Sequence, residues 1–268
     1  MTHRGPGEAA RARPAPTISV AHRAPRRAGS MSRFSGTHAA AIVVAAAALL
    51  LALSSPAAAA SRTVQFRAAD GRTVTALLNE ANRRPAPAVL LLPMMGRPKD
   101  DWQAVAQRLA DAGITALAID LPGSGVPADG PELTTWTVDI GSAVSYLTSR
   151  DVGATAVGIA GASLGASLAV YTAAGDGRVR AVALVSPAAD YRGVRIAAPL
   201  KQILGRPVFM LASHEDPYSA RSIRELSKGN ETAYETAWSQ IPAHGTTLLA
   251  REPDLVRMLV EWFQRVLG

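Results

Sequence analysis

The most informative stretch of the sequence is Gly-Ala-Ser-Leu-Gly at residues 161–165. The pattern G-x-S-x-G is typical of a serine on a strained turn between a buried strand and a helix. Glycines are expected at both ends because a side chain there would collide with the neighbouring strand or helix. In that setting the hydroxyl of Ser163 is a candidate nucleophile, and the chemistry is acyl transfer.

The residues on either side of the motif match this setting. Residues 154–160 are short, apolar and partly β-branched, as expected of a buried parallel strand. Residues 166–174 are rich in alanine and end at Gly175, which is typical of a helix. The alternative is an ordinary glycine-rich turn between a strand and a helix, without any chemistry.

A serine hydroxyl is a weak nucleophile and needs a base, usually a histidine that a carboxylate orients. Three of the five histidines lie within the first 60 residues, so His214 and His244 are the candidates. His214 ends the strand that also delivers the candidate acids, a poor position between such an acid and Ser163. His244 lies in a loop between the last strand and the last helix, and a loop can project the imidazole across the sheet edge. We therefore expect His244 to be the base rather than a solvated loop histidine.

The orienting acid is either Glu215 or Asp216. Both follow the predicted strand 208–212, and adjacent residues at a strand exit point in different directions, so only one can face the histidine. Asp216 also precedes Pro217 and could simply cap the helix that begins there. The backbone N–H of Leu164 is one expected donor to the developing oxyanion, and a second is expected from the loop after the third strand.

The sequence predicts alternating strands and helices around these residues. Besides 154–160, strands are predicted at 63–66, 73–78, 88–92, 114–119, 179–185, 208–212 and 232–238. Besides 166–174, helices are predicted at 100–113, 135–149, 198–204, 217–227 and 254–266. This alternation implies a parallel sheet covered on both faces. Ser163, Asp216 and His244 would then lie at the carboxyl edge of the sheet, where such folds place their chemistry.

The basic charge of the chain is concentrated at its N-terminus. The formal net charge is +7, but residues 1–60 hold seven arginines and one glutamate, whereas residues 61–268 hold 21 basic and 20 acidic groups. The near-neutral balance of residues 61–268 argues against a nucleic-acid partner. Cysteine is absent from the sequence, which excludes disulfides, a thiolate nucleophile and a cysteine-based zinc site. Residues 1–30 have the composition of a disordered segment, and Met31 is an alternative first residue.

The first 60 residues are predicted to be a basic leader with a signal peptide. Arg33 precedes the apolar run 39–53, and small residues follow that run as far as Ala60, an order typical of export signals. Cleavage after Ala60 would leave Ser61 as the first residue of a secreted or periplasmic domain at 61–268. The alternative is an uncleaved segment that anchors the chain in a membrane, because the run is near the lower limit for spanning.

Five segments of the chain resemble the α/β-hydrolase superfamily. They are Leu-Leu-Pro-Met-Met-Gly at 91–96, Ile-Asp-Leu-Pro-Gly-Ser-Gly at 119–125, the serine motif at 161–165, Glu-Asp-Pro-Tyr at 215–218 and Ala-His-Gly-Thr at 243–246. The chain order serine, acid, histidine is also that of this superfamily. The resemblance covers nearly all of residues 61–268 and implies the α/β-hydrolase fold, a mostly parallel sheet of about eight strands with helices on both faces.

The resemblance also implies site residues. It favours Asp216 over Glu215 as the acid, and it places the second oxyanion donor at the N–H of Met95. Many members have His-Gly where this chain has Pro-Met at 93–94, but Met95 retains its N–H. A serine at position 163 is unlike the dehalogenases, epoxide hydrolases and dienelactone hydrolases of the superfamily, which use Asp or Cys. It is similar to the esterases, lipases and peptidases.

Many members insert a cap domain after the sixth strand. Here only about 20 residues separate Pro187 from Pro207, enough for a short helix but not for a folded cap. We therefore expect no large cap domain and a shallow, open site. An apolar acyl pocket could use Met94, Met95 and Trp102, although Trp102 could instead belong to the core.

Together these features predict an exported serine ester hydrolase, similar to carboxylesterases, that acts on a small-molecule ester through Ser163, Asp216 and His244. The resemblance implies no metal and no organic cofactor. We expect contact with a membrane only if the leader is not cleaved. Two alternatives remain: a serine peptidase of the same fold, and a non-catalytic α/β-hydrolase-like binding protein.

Overall fold

The computed structural model describes residues 61–121, 132–230 and 232–268. Its strands in chain order are β1 (Ser61–Arg67), β2 (Thr73–Asn79), β3 (Ala88–Leu92), β4 (Thr115–Ile119), β5 (Val157–Ala162), β6 (Val179–Val185), β7 (Asp190–Tyr191), β8 (Val194–Arg195), β9 (Val208–Ser213) and β10 (Glu235–Ser239). Its helices are α1 (Gln103–Asp111), α2 (Glu132–Thr148), α3 (Leu164–Gly175), α4 (Ala197–Gln202), α5 (Pro217–Ser227), α6 (Gly245–Arg251) and α7 (Pro253–Leu267). The leader, its apolar run 39–53 and the cleavage after Ala60 lie outside the described residues and stay predictions.

Eight of the strands form one sheet in the order β1-β2-β4-β3-β5-β6-β9-β10. β2 is antiparallel to both of its neighbours, whereas every pair from β4 to β10 is parallel. The strands β3, β4, β5 and β9 bury every residue, because a parallel strand covered on both faces has no solvent side. This arrangement confirms the predicted mostly parallel sheet of about eight strands.

Helices cover both faces of this sheet. One face packs against α2, α3, α4 and α5 through side chains that include Ile140. The other face packs against α1, α6 and α7 through side chains that include Leu259. Successive strand residues point to opposite faces, so in β3 Leu90 joins the first layer and Leu91 joins the second. The carboxyl ends of the parallel strands are thereby held at one edge between two packed layers.

Several parts of the chain differ from the predicted elements. β10 begins at Glu235 rather than at residue 232, and the short strands β7 and β8 were not predicted. β5 begins at Val157 rather than at residue 154, opposite Ala88 at the start of β3, although Thr155 already donates its N–H to the carbonyl oxygen of Ala86. The helix α6 was not predicted, because a leading glycine and two threonines give it a low intrinsic helix propensity. It is stabilised instead by burial of Leu248 and Leu249 against the core.

The chain between β6 and β9 is short. Residues 186–207 form a two-stranded hairpin, in which β7 pairs with β8, followed by α4, and they contain no cap domain. Three tyrosine hydroxyl groups attach this hairpin to other elements. Tyr191 donates to Sδ of Met95 at 3.3 Å, Tyr171 donates to the carbonyl oxygen of Arg195 at 2.9 Å, and Tyr218 donates to the carbonyl oxygen of Asp190.

Candidate active site

Ser163 lies on the sharp turn between β5 and α3. Its backbone has φ +52° and ψ −115°, a conformation that non-glycine residues rarely adopt and that costs about 1–3 kcal/mol. A Cβ atom on Gly161 would lie 2.0 Å from the carbonyl oxygen of Gly165, and one on Gly165 would lie 2.5 Å from the carbonyl oxygen of Leu92. Only glycine fits at either position. The motif thus lies between β5 and α3, in the strand, turn and helix that its sequence predicts.

Two backbone N–H groups beside this turn have no hydrogen-bond partner among the described residues. Leu164 is the first residue of α3, so its N–H has no carbonyl oxygen within the helix to bond to. The N–H of Met95 also donates to no other residue of the described ranges. Met95 lies in the loop after Leu92, and that loop passes close to Gly165 in the first turn of α3. These are the two donors predicted for the oxyanion, at a helix N-terminus that favours negative charge.

His244 and Asp216 are in direct contact. Oδ2 of Asp216 lies 2.6 Å from Nδ1 of His244. Its other carboxylate oxygen, Oδ1, accepts the N–H of Ser219 at 3.2 Å and so caps the N-terminus of α5. Asp216 therefore contacts the histidine and caps the helix at the same time, whereas its position before Pro217 suggested these as alternatives.

His214 and Glu215 lie apart from this pair. The ring of His214 stacks on Trp238 with 4.6 Å between the ring centroids, and both His214 and Glu215 are exposed. In the part of the chain that the structure describes, neither side chain forms a hydrogen bond with His244. The structure thus brings Asp216 and His244 together and leaves the competing histidine and acid outside.

Ser163 is not hydrogen-bonded to this pair. Within residues 61–121, 132–230 and 232–268, the ring of His244 is within hydrogen-bond distance of Asp216 and Ser219, and it forms no hydrogen bond with the hydroxyl of Ser163. Contacts between a nucleophile and its base are often long in the absence of substrate. The side chain of His244 is 43% exposed, whereas that of Asp216 is 12% exposed. The pair is therefore open to solvent on the histidine side, as expected of a shallow site.

The ionisation of Asp216 determines which nitrogen of His244 carries a proton. Burial raises the pKa of the Asp216 carboxyl, but hydrogen bonds from His244 and Ser219 outweigh burial and hold this pKa below its ordinary value. The carboxylate is then charged at neutral pH and can only accept hydrogen bonds. In the neutral imidazole the proton is then favoured on Nδ1, where it can donate to Asp216, and the lone pair is on Nε2.

Three contacts hold the loop that carries the histidine. The N–H of Gly245 donates to the buried hydroxyl of Ser186 at 2.9 Å, at the end of β6. Gly245 has φ +57°, and a Cβ atom there would lie 2.1 Å from Sδ of Met94. The hydroxyl of Thr246 donates to Oδ2 of Asp101 at 3.1 Å. The histidine loop is thus attached both to β6 and to the segment that follows β3.

The suggestion that Trp102 lines an acyl pocket is wrong. Its side chain is 0% exposed and packs in the core on the face covered by α1, α6 and α7, so the alternative interpretation as a core residue is correct. Met94 and Met95 are both half-buried. Met94 packs against Gly245, and Met95 accepts the hydrogen bond from Tyr191. These two methionines are apolar side chains next to the predicted oxyanion donor.

The sequence analysis missed three residues that shape the site, and two of them carried no recognisable sequence signal. Ser186 adopts φ +48° at a strand end, where serine is unremarkable by type. Tyr191 belongs to a hairpin too short to show any periodicity. Ser219 lies three residues after Asp216 in a helix whose start was predicted, and that spacing is the one signal that could have identified it.

The described residues contain neither a metal cluster nor a bilayer-length helix. No group of three or more His, Cys, Asp or Glu side chains in them could hold a metal ion. No helix within the same ranges is long and apolar enough to cross a membrane.

The chain belongs to the α/β-hydrolase family, whose model matches residues 89–267. That match extends from β3 to α7 and includes the serine turn, the acid and the histidine. No curated protein sequence matches the chain.

Several solved structures share its fold. An esterase from Pyrococcus furiosus superposes with a TM-score of 0.64 at 14% identity, over 78% of this chain and 93% of that one. The dienelactone hydrolase from Anabaena variabilis has a TM-score of 0.66 at 18% identity, over 79% and 100%. The esterase domain of a Rhodothermus marinus protein has a TM-score of 0.62 at 16% identity, over 78% and 100%. At these identities the likeness shows an esterase-like α/β-hydrolase fold and nothing finer.

Proposed function

We propose that the chain is an exported serine ester hydrolase that acts through Ser163, His244 and Asp216. The observation that carries this proposal is the 2.6 Å contact between Oδ2 of Asp216 and Nδ1 of His244. The pair lies at the carboxyl edge of the sheet, after β9 and β10, and the strained turn at Ser163 follows β5 at the same edge. A nucleophile, a base and an orienting acid at one edge are the parts that acyl transfer requires.

Acylation begins with attack of Oγ of Ser163 on the ester carbonyl carbon, while Nε2 of His244 accepts the hydroxyl proton. Asp216 keeps the proton on Nδ1 and stabilises the imidazolium that forms. The N–H groups of Leu164 and Met95 donate to the negatively charged oxygen of the tetrahedral intermediate. The bond to the alcohol oxygen then breaks, and His244 returns its proton to the departing alcohol.

Deacylation repeats these steps with water. His244 accepts a proton from water as its oxygen attacks the acyl carbon bound to Ser163. The bond to Oγ breaks, the proton returns to Oγ, and the carboxylic acid leaves. The proton taken from Ser163 leaves with the alcohol and a proton from water replaces it, so the proposed reaction consumes only ester and water.

The proposed substrate is a small ester with an apolar acyl group. Met94 and Met95 present flexible apolar side chains beside the oxyanion donor. Residues 186–207 contain only the β7–β8 hairpin and α4, so this segment adds no folded cap to which a bulky alcohol group could bind. A series of p-nitrophenyl esters of increasing acyl length should show the highest kcat/KM among the short members.

A fluorophosphonate probe tests the nucleophile. We expect it to label Ser163, and we expect Ser163→Ala to abolish both labelling and hydrolysis of p-nitrophenyl acetate. Ser167→Ala is the matched control, because Ser167 is a buried serine one turn further along α3 whose hydroxyl has no partner in the described residues. Labelling at another residue, or full activity in Ser163→Ala, would show that the assignment is wrong.

Paired ester and amide substrates separate this proposal from a peptidase of the same fold. Faster turnover of the amide would favour the peptidase. A folded chain that reacts with no serine probe and hydrolyses neither substrate would favour a binding protein.

Export has a separate test. N-terminal sequencing of the chain recovered outside the cytoplasm should begin at Ser61. Recovery of a membrane-bound chain that still contains residues 39–53 would favour the uncleaved anchor.

A further inference from the structure

Ser219 lies where the cap of α5 meets the contact between Asp216 and His244. It is the third residue of α5, and its side chain is 0% exposed. Its N–H donates to Oδ1 of Asp216 at 3.2 Å, and its Oγ lies 3.4 Å from Nδ1 of His244. A single buried residue therefore contacts both the acid and the base.

The hydroxyl of Ser219 has a preferred direction in this arrangement. Nδ1 of His244 carries a proton when Asp216 is ionised, so Oγ of Ser219 faces it as a second, weaker acceptor. The hydroxyl proton is then available to the carboxylate. Burial raises the pKa of the Asp216 carboxyl, whereas hydrogen bonds from His244 and Ser219 lower it.

The two acceptors on the Nδ1 side resist a flip of the imidazole. A rotation of 180° about the Cβ–Cγ bond would exchange Nδ1 for a C–H group. The flipped ring of His244 would lose the strong contact to Asp216 and the weaker contact to Ser219. With Ser219 present, the productive orientation is favoured over the flipped one by two contacts rather than one.

We propose that Ser219 is a positioning residue, whose hydroxyl holds the imidazole of His244 with its proton on Nδ1 and with Nε2 available to Ser163. The expected effect on kcat rests on the proposed function. The expected tautomer and ring orientation of His244 depend only on its contacts to Asp216 and Ser219.

The alternative is that Ser219 only fills space, as a small buried residue at the start of α5. Ser222 provides the matched comparison, because it lies one turn later on α5 and is 4% exposed. Within the described chain its hydroxyl forms no hydrogen bond with Asp216 or His244. Ser222→Ala therefore removes a buried hydroxyl from the same helix without touching the pair.

The experiment compares Ser219→Ala, Ser222→Ala and the wild-type chain by two measurements. The first is the kcat and KM for p-nitrophenyl acetate. The second is the ¹⁵N chemical shift of the His244 ring nitrogens, assigned as the signals that disappear in His244→Gln, which reports the tautomer without requiring turnover. If Ser219→Ala does not fold, Ser219→Cys takes its place, because it fills the site but is a weak donor and acceptor.

We expect Ser219→Ala to lower kcat about tenfold, since one hydrogen bond is lost, with KM changed less than about twofold. Flipped rings face Asp216 with a C–H group, so Asp216 no longer fixes their tautomer, and the His244 nitrogen shifts should move from a single Nδ1–H tautomer towards a mixture. Ser222→Ala should match the wild type in both measurements. Unchanged nitrogen shifts in Ser219→Ala would overturn the inference. If no variant or wild-type chain hydrolyses an ester, the proposed function fails, and the nitrogen shifts alone still decide the role of Ser219.

Discussion

Asp216→Asn should separate the two functions of this side chain. In the wild-type chain Oδ2 accepts from Nδ1 of His244 at 2.6 Å, and Oδ1 accepts from the N–H of Ser219 at 3.2 Å. Asparagine has one carbonyl oxygen and one NH₂ group. It can accept only one of these two hydrogen bonds, so the helix and the histidine compete for a single oxygen.

Because of this competition, we expect Asp216→Asn to change the free energy of unfolding only slightly but to lower kcat strongly. Asparagine is as good an N-cap as aspartate, so the free energy of unfolding should fall by less than about 1 kcal/mol, mostly from the lost charge at the N-terminus of α5. With its oxygen on the helix, the asparagine side chain directs its NH₂ group at Nδ1 of His244. Nδ1 must then accept, the proton moves to Nε2, and the base is lost. We expect kcat to fall about 10³–10⁴-fold.

The assay combines kcat for p-nitrophenyl acetate with urea unfolding of the same preparations. Glu215→Gln is the control, because Glu215 is the exposed neighbour of Asp216, and neither quantity should change. A kcat for Asp216→Asn within tenfold of the wild-type value would refute the orienting role of Asp216. A loss of more than about 3 kcal/mol of unfolding free energy would refute the equivalence of the two caps.

Three further predictions concern the elements that hold the site. Gly165→Ala should destabilise the chain by about 1–3 kcal/mol or more and abolish activity, because its Cβ would lie 2.5 Å from the carbonyl oxygen of Leu92. Ser186→Ala should cost about 1–3 kcal/mol of unfolding free energy and lower kcat, because the N–H of Gly245 loses its acceptor. The pKa of Asp216 is lower in the folded chain than its ordinary value of 3.8. The charged carboxylate therefore stabilises the fold at pH values above 3.8, and this stabilisation is lost as the pH falls through the folded-state pKa. Asp216→Asn should therefore lose more stability at pH 7 than at pH 3.

Each of these predictions has a measurement and a control. Urea unfolding compares Gly165→Ala with Gly175→Ala, since no atom lies within 4 Å of a Cβ at Gly175; equal effects would contradict the steric argument. The comparison for Ser186→Ala is Ser167→Ala, whose hydroxyl has no partner in the described chain, and only the former should be destabilised. Urea unfolding at both pH values checks the last prediction, and an equal loss at pH 3 and pH 7 would contradict it.

The parts of the fold that could be predicted are those with a strong local pattern. β3 and β6 were predicted at their observed bounds, because short apolar runs between polar turns leave little choice. α5 was also predicted at its observed bounds, because Asp216 and Pro217 mark its start. α6 was missed because its stability comes from burial of leucines rather than from its residues' own helix propensity.

For the candidate site, the sequence indicated which residue types could react and where they lie along the chain. It did not indicate which side chains contact one another. Elimination among five histidines reduced the candidates to two, and the structure places His244, not His214, against Asp216. The burial of Trp102 could not be predicted, because a tryptophan at helical spacing suits a core and a pocket equally well. Ser219 and Ser186 act through hydroxyl groups on neighbouring elements, and such pairings between elements leave no periodic trace in a sequence.

The β7–β8 hairpin after β6 should tolerate insertions at its turn. Tyr171, Tyr191 and Tyr218 fasten its two short strands to α3, to the Met95 loop and to α5, while its turn at residues 192–193 is exposed. Extra residues inserted at that turn would begin and end at points that are already fixed. They would lie near Met95, which Tyr191 contacts, without altering the strands that lead to Ser163, Asp216 and His244. Substrate range could therefore diverge among descendants of this chain, by evolution or by engineering, through loop length alone.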